Sequence, residues 1–383
     1  MKITSAFLSF LVLLLIQACD NANISPTSRT KTSGNIETFA GQGPLKNGFT
    51  GDGDLATSAM LSYVTAVATD HLNNVYVTDG ASNVVRKINA VDGKISTIAG
   101  TFLGYNVVDP TPYAGDGGPA TQAHLNIPWS IAVDGSDNLS IVDIGNNVVR
   151  QISSATGFIS TIAGKANSQS YDGDGNLATL ASFNNLYNVA ADAAGNIYVV
   201  DSQNNTVRMI TKSTGKISTI AGLGPNRPGY TGDNGPAVAA TLNAPMAIAV
   251  DANSNIYIAD NLNNVIRKIS VGVITTIAGT GAKGYTGDGG PATAATFFAV
   301  RGIAVDNQGN IFIADSGNNV IRKITASSGK ISTIAGTGAP GYEGDGASAL
   351  AAKLSSPFGI AVDSAGNVYI ADSQNSAVRV VWK

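Results

Sequence analysis

The chain has 383 residues, enough on length alone for two or three domains, and is 44% hydrophobic but only 13% charged. That balance excludes a disordered polymer, and a net charge of −3 excludes the basic footprint of a nucleic-acid binder. Two histidines and one cysteine narrow the catalytic and metal chemistry open to it, while 44 glycines imply many tight turns and short strands.

Residues 1–18 read as a signal peptide. A weakly basic "MK" precedes the apolar run Phe7 to Ile16, which is too short to span a bilayer as a mature helix. The run ends in "IQAC", and Cys19 is the only cysteine. Two readings apply: an ordinary secretory signal cleaved nearby, or a bacterial lipoprotein signal with small Ala18 before a lipidated Cys19. Gln17 is unusual in its slot, yet the lipoprotein reading is preferred. One acyl chain binds a membrane only marginally and stable anchoring needs two signals, at ~0.8 kcal/mol per buried CH₂; a diacylglyceryl cysteine supplies at least two chains at one residue. The expected address is therefore the bacterial cell envelope, exported and lipid-anchored at the periplasmic face or cell surface. Residues 19–34 are polar, lack aromatics and are expected to form a flexible tether.

From residue 35 onward one phrase recurs six times, as in "IADSGNNVIRKI" and "VVDSQNNTVRMI", at spacings of 55 to 64 residues. Each copy holds four strand-like pieces: "GIAVD", "IYIAD", "NVIRKI" and "ISTIAG", separated by Gly/Asn/Asp turns. A four-stranded antiparallel unit at this period predicts an all-β, six-bladed β-propeller over residues 35–383. An alanine recurs in every first piece (Ala68, Ala132, Ala190, Ala249, Ala304, Ala361), as expected of strands crowded around an axis. The fold starts with "NIETFA", a fourth piece with nothing before it, and ends with "AVRVVWK", a third piece with nothing after it. The N-terminal strand is thus expected to complete the last blade and close the ring.

An aspartate and an arginine recur seven apart in every copy: Asp79/Arg86, Asp143/Arg150, Asp201/Arg208, Asp260/Arg267, Asp315/Arg322 and Asp372/Arg379. A ring of ligand contacts rarely needs six identical copies, so these pairs are read as structural hairpin clips. The pattern resembles the NHL repeat, whose signature follows "GIAVD", "GNIYIAD" and "NNVIRKI" in the same order. That resemblance implies a six-bladed closed propeller. It leaves function wide, because NHL propellers include protein scaffolds, RNA-binding domains and a few lyases.

The loops leading into each first strand carry "GDG"-type turns. "DGDGN", with Asp172, Asp174 and Asn176, resembles the start of a calcium loop, but Leu177 and Phe183 stand where glycine and glutamate are needed. No metal and no cofactor is expected. The loop 101–118 is enlarged and is a candidate contact element.

The residue entering each first strand should lie at the mouth of the axial channel. This slot holds Thr65, Trp129, Tyr187, Met246, Arg301 and Phe358, different each time while neighbouring slots repeat. These six are the candidate ligand-binding residues, for a protein, peptide or other organic ligand; the competing reading is that they merely plug the channel. Lactonases and lyases of this architecture gather acids or histidines on the axis. Here the mouth slot and the next one (Ala66, Ser130, Asn188, Ala247, Gly302, Gly359) contain neither. His71 and His124 fall in turns, so no catalytic residue is assigned. An enzymatic alternative, a hydrolase or lyase at the same face, would have to draw an acid such as Asp109 or Glu343 from a loop. A monomer without nucleic-acid partners is expected, touching the membrane through its lipid anchor only.

Overall fold

Runs of four to six β-branched, aromatic and alanine residues, each stopped by Gly, Asn or Asp, are too short for helices and suit a pleated surface. The computed structural model describes residues 31–104 and 113–383, and these runs form six antiparallel sheets in it. Blade I comprises Val64–Thr69, Val75–Asp79, Val84–Ile88 and Ile95–Ala99. Blade II comprises Pro128–Val133, Leu139–Asp143, Val148–Ile152 and Ile159–Ala163. Blade III comprises Leu186–Ala191, Ile197–Asp201, Thr206–Ile210 and Ile217–Ala221. Blade IV comprises Ala247–Val250, Ile256–Asp260, Val265–Ser270 and Val273–Ala278. Blade V comprises Val300–Val305, Ile311–Asp315, Val320–Thr325 and Lys330–Ala335. Blade VI takes Pro357–Val362, Val368–Asp372 and Ala377–Val381 from the C-terminus and Asn35–Ala40 from the N-terminus.

The closure is explicit in the register. Ile36 pairs with Val381, Glu37 with Val380, Thr38 with Arg379 and Ala40 with Val378. Each first strand also touches the first strand of the next blade, and that of blade VI touches that of blade I, so the ring is complete. The strands come close there: a Cβ on Gly302 would lie 2.1 Å from the Phe358 carbonyl oxygen, and one on Gly359 2.5 Å from the Ala66 Cα. Those two slots accept glycine because a neighbouring backbone fills the space. In other blades the same slot bridges instead, Ser130 Oγ accepting from Val189 N–H and Asn188 Oδ1 from Ile248 N–H.

The core lies between blades, in clusters such as Val142, Phe183, Leu186 and Val199 or Ile258, Leu242 and Ile274. Each outer edge is covered. The loop before a first strand lays one or two residues along the start of its own blade's fourth strand, as Pro119 does on Phe158 and Gly235–Pro236 on Val273–Ile274, and then forms a 3₁₀ turn, Ala237–Ala239 in the latter case. This cover shortens the unpaired N–H and C=O row that a bare edge would present. Among the described residues no helix is long and apolar enough to cross a membrane. The expected signal segment 1–18, Cys19, the tether up to residue 30, and residues 105–112 of the enlarged loop, with Asp109, lie outside the described residues.

Candidate functional site

Each third strand carries one arginine, and Arg86, Arg150, Arg208, Arg267, Arg322 and Arg379 are all fully buried. Their pairing extends the hairpin reading: the aspartate seven residues back lies within ion-pair distance in blades II to VI, but it is not the nearest carboxylate. The closest carboxylate is instead the "GDG" aspartate of the preceding loop. Arg86 meets Asp52 at 2.6 Å, Arg150 meets Asp116 at 2.7 Å and Arg208 meets Asp174 at 2.7 Å. Arg267 meets Asp233 at 2.8 Å, Arg322 meets Asp288 at 2.7 Å and Arg379 meets Asp345 at 2.6 Å.

The strand aspartate stands further off, 3.4 to 3.8 Å from the guanidinium in blades II to VI. Arg267 still reaches Asp260, but at 3.4 Å, against 2.8 Å to Asp233. In blade I, Arg86 spends its hydrogen bonds on Asp52 and on the Thr50 and Met60 carbonyls, and Asp79 Oδ2 is left buried without a partner. The loop carbonyls and carboxylate converge on the guanidinium and take its hydrogen bonds. Arg322 likewise donates to Thr286 and Thr296 and lies over the ring of Tyr285. The clip therefore ties loop to blade. The sequence shows the loop aspartate in every copy, but a partner 34 residues upstream carries no local signal. In the calcium-like stretch Asp174 is held by Arg208, so that carboxylate is already committed.

The strand aspartates bind backbone. Asp143, Asp201, Asp260, Asp315 and Asp372 each accept a loop N–H and the amide of an asparagine three residues on, as Asp201 does from Asn184 and Asn204. Each is fully buried, and the single positive charge nearby is already matched by the loop aspartate. Burial accordingly pushes Asp79, Asp143 and Asp201 up to about 7, and Asp260, Asp315 and Asp372 up to about 6. Since their folded values exceed the ordinary 3.8, the folded state keeps protons that the unfolded chain has lost between about pH 4 and 7. Their contribution is present at the acid end and is lost as pH rises through that window. At Asp288 burial is outweighed by hydrogen bonds from Thr333 and Arg322, so its value is lowered and the stability it gives disappears as pH falls below its ordinary value. Urea midpoints should thus fall between pH 5 and pH 8; a midpoint rising over that interval would contradict the assignment.

Five blades complete the clip with a hydroxyl pair between the loop tyrosine and a fourth-strand threonine: Tyr113/Thr161, Tyr171/Thr219, Tyr230/Thr276, Tyr285/Thr333 and Tyr342/Thr38. Blade I has Phe49 in the tyrosine slot, and Thr97 Oγ1 is left buried without a partner. Phe49→Tyr should therefore raise stability by about 0.5–1.5 kcal/mol, read from urea unfolding.

The mouth forms where the loops deliver the first strands. Two residues before each mouth slot the chain turns left-handed without glycine, at Tyr63, Ile127, Asn185, Ala244, Ala299 and Ser356. Such a turn is strained for most side chains and persists when neighbours over-determine it. The neighbouring blade supplies that constraint: Asn83 accepts from Ile127 N–H at 2.7 Å, Asn205 from Ala244, Asn319 from Ser356, and Ser376 from Tyr63 across the closing seam.

These turns bring four of the six sequence-chosen residues together. Trp129 lies 5.3 Å edge-on from Tyr187 and 5.8 Å from Phe358, and Arg301 stacks 4.3 Å over Phe358. Tyr63 joins them, 5.9 Å from Trp129 and 6.0 Å from Phe358. Sequence reasoning misses it because it stands two positions outside the varied slot. Burial raises the Tyr187 hydroxyl's pKa, against a lowering by the Arg301 charge. Arg301 Nε is buried with no acceptor. Thr65 is spent internally, bonded to Thr78 and the Pro128 carbonyl, and Met246 packs on the apolar cluster beside Trp129. Tyr187 and Phe358 are buried in the cluster, while Trp129, Met246 and Arg301 stay half-exposed. The arrangement partly plugs the channel and partly presents a surface.

Elsewhere the histidines are accounted for. His71 pairs with Asp137 at 2.5 Å on the opposite face, a bond that raises its pKa, and His124 gives its backbone carbonyl to Arg150. Glu343 pairs with Lys353. Among the described residues no three His, Cys, Asp or Glu side chains come together.

Six closed four-stranded blades around an aromatic mouth define a six-bladed β-propeller. Residues 354–381 match the NHL repeat and residues 16–168 the teneurin NHL domain. These two matches, with the six-bladed ring, support the resemblance to NHL-repeat propellers. It is similar to SUPPRESSOR OF QUENCHING 1 of Arabidopsis thaliana, 25% identical over 68% of this chain, and to human teneurin-4, 30% identical over 61% of it. It spans only 25% and 9% of those two proteins. Among solved structures it resembles a protein of unknown function from Bacteroides thetaiotaomicron, with a TM-score of 0.66 and 21% identity over 90% of this chain and 75% of that one. An auxiliary nutrient binding protein from Bacteroides ovatus follows, at 0.61 and 15% over the same shares. A gluconolactonase from Xanthomonas campestris gives 0.51 and 12%, over 84% of this chain and 86% of that one. At these identities the three structures speak for the fold alone.

Proposed function

We propose that the propeller is a non-catalytic binding module that holds a protein, peptide or other organic ligand at its axial mouth. We extend the proposal to its address: residues 1–18 are a lipoprotein signal and Cys19 the lipidated anchor to a bacterial cell envelope. One observation carries the binding reading. In a ring whose other slots repeat, the slot that varies gathers Trp129, Tyr187, Arg301 and Phe358 into one cluster with Tyr63. A half-exposed indole, a thioether and a guanidinium with an unpaired N–H suit a ligand with an apolar face and an acceptor or anionic group. The nutrient-binding description of a neighbour of like fold agrees with that chemistry.

The test uses the ligand recovered by pull-down from native envelope. Trp129→Ala and Arg301→Met should each weaken its binding by about tenfold or more, as anchor residues do. Unchanged affinity in both would move the site elsewhere, and stoichiometric axial metal after incubation with divalent ions would favour a hydrolase or lyase. Cys19→Ala should shift the protein from the membrane to the soluble fraction.

A further inference from the structure

Departures from the repeat converge a second time, on the face opposite the mouth. Trp382 occupies a slot filled elsewhere by Asn89, Ser153, Thr211, Ser270 and Thr325. Phe39 replaces an isoleucine found in the other five copies, Leu72 stands where Ser136, Asn253 or Gln308 stand, and Val91 where Ser213 or Ser327 stand. Nothing in the blade architecture requires these four, since the other copies fold without them. All four line one cavity of about 600 Å³ between blades VI and I, within the range that encloses small organic ligands.

The chemistry of its wall is one-sided. Phe39 packs edge-on against Tyr369 at 4.9 Å, and the exposed Leu72 and Val91 form an apolar rim. Trp382 is only 5% exposed, yet its indole N–H finds no acceptor. An orphaned buried donor is costly unless something supplies an acceptor. Lys31 holds its ammonium 4.6 Å over the same indole. The one carboxylate in the wall, Asp363, is already occupied by Ala365, Asn367 and Tyr369. The cavity therefore offers an aromatic and aliphatic lining, an unused N–H and a cation.

We infer that this cavity is a second ligand site, separate from the mouth, for a small organic carboxylate carrying a hydrophobic ring. The ring lies among Phe39, Leu72 and Trp382, and the carboxylate takes the indole N–H and faces Lys31. The probe is 4-phenylbutyrate, with neutral 4-phenylbutanol as its control. In the full chain carrying Trp129→Phe, Trp382 is the sole indole, so its fluorescence should change saturably with phenylbutyrate, at one site by calorimetry. Lys31→Met should weaken phenylbutyrate by about tenfold and leave phenylbutanol within about twofold, whereas Leu72→Asp should weaken both. Both substituted positions are exposed, so folding is not at stake. A Trp382 signal that does not respond to the probe, or equal affinity after both substitutions, overturns the inference. Neither outcome bears on the mouth, because Lys31 and Leu72 line the cavity on the opposite face and Trp129→Phe is common to every sample compared.

Discussion

Ile36→Asp unfolds the propeller or lowers its stability by more than about 4 kcal/mol, measured by urea unfolding followed through tryptophan fluorescence. Ile36 is fully buried in a cluster with Ile321, Ile370 and Val381, and its strand supplies the fourth strand of the last blade. The carboxylate would enter that cluster with no cation in it. Losing the strand would also expose the edge of Ala377–Val381 and break the ring, so the cost spreads beyond one residue. Ile36→Val, which keeps the strand and removes one methylene, should cost about 0.5–1.5 kcal/mol. If the aspartate variant unfolds at the wild-type midpoint, the N-terminal strand is not part of the ring.

Arg322→Met should cost about 3–5 kcal/mol at pH 7. The methionine fills much of the volume but leaves the Thr296 carbonyl without the Arg322 donor, the Thr286 carbonyl with only the 3.4 Å bond from Thr296 N–H, and Asp315 buried without a cation. Asp288 retains a bond from Thr333 and is about two-fifths exposed, so its charge can be hydrated and carries less of the loss. The loop that Arg322 ties down also covers the outer edge of blade V through the Pro291–Lys330 bridge. A loss within about 0.5 kcal/mol would mean that the six clips are surface ornaments, as isolated exposed ion pairs generally are.

The blades, their number and the closing strand are legible in the sequence because each depends on a local alternation or on a repeat whose copies check one another. Trp129, Tyr187, Arg301 and Phe358 are legible for the opposite reason: they break a pattern that their neighbours keep. The arginine clips are legible only in part. A hairpin brings Asp260 near Arg267 and Asp315 near Arg322 in any reading, but the nearer Asp233 and Asp288 arrive through loops whose path no short-range pattern encodes. Arg86 goes furthest from the local expectation, since its bonds run to the loop and leave one oxygen of Asp79 bare. Tyr63 escapes because its place depends on a left-handed turn, and an aromatic residue gives no sign of adopting one. The cavity beside Trp382 escapes because its walls come from both ends of the chain and from the turns of blade I, and they meet only after the ring has closed.

Closure by the first strand has a directional corollary. Asn35–Ala40 is the outermost strand of its blade and runs toward the mouth, so Gly34 and the C-terminal Lys383 both sit at the rim of the far side. For the anchor proposed at Cys19, a tether joining at Gly34 would pull at the circumference from behind and leave the aromatic opening pointing away from the membrane.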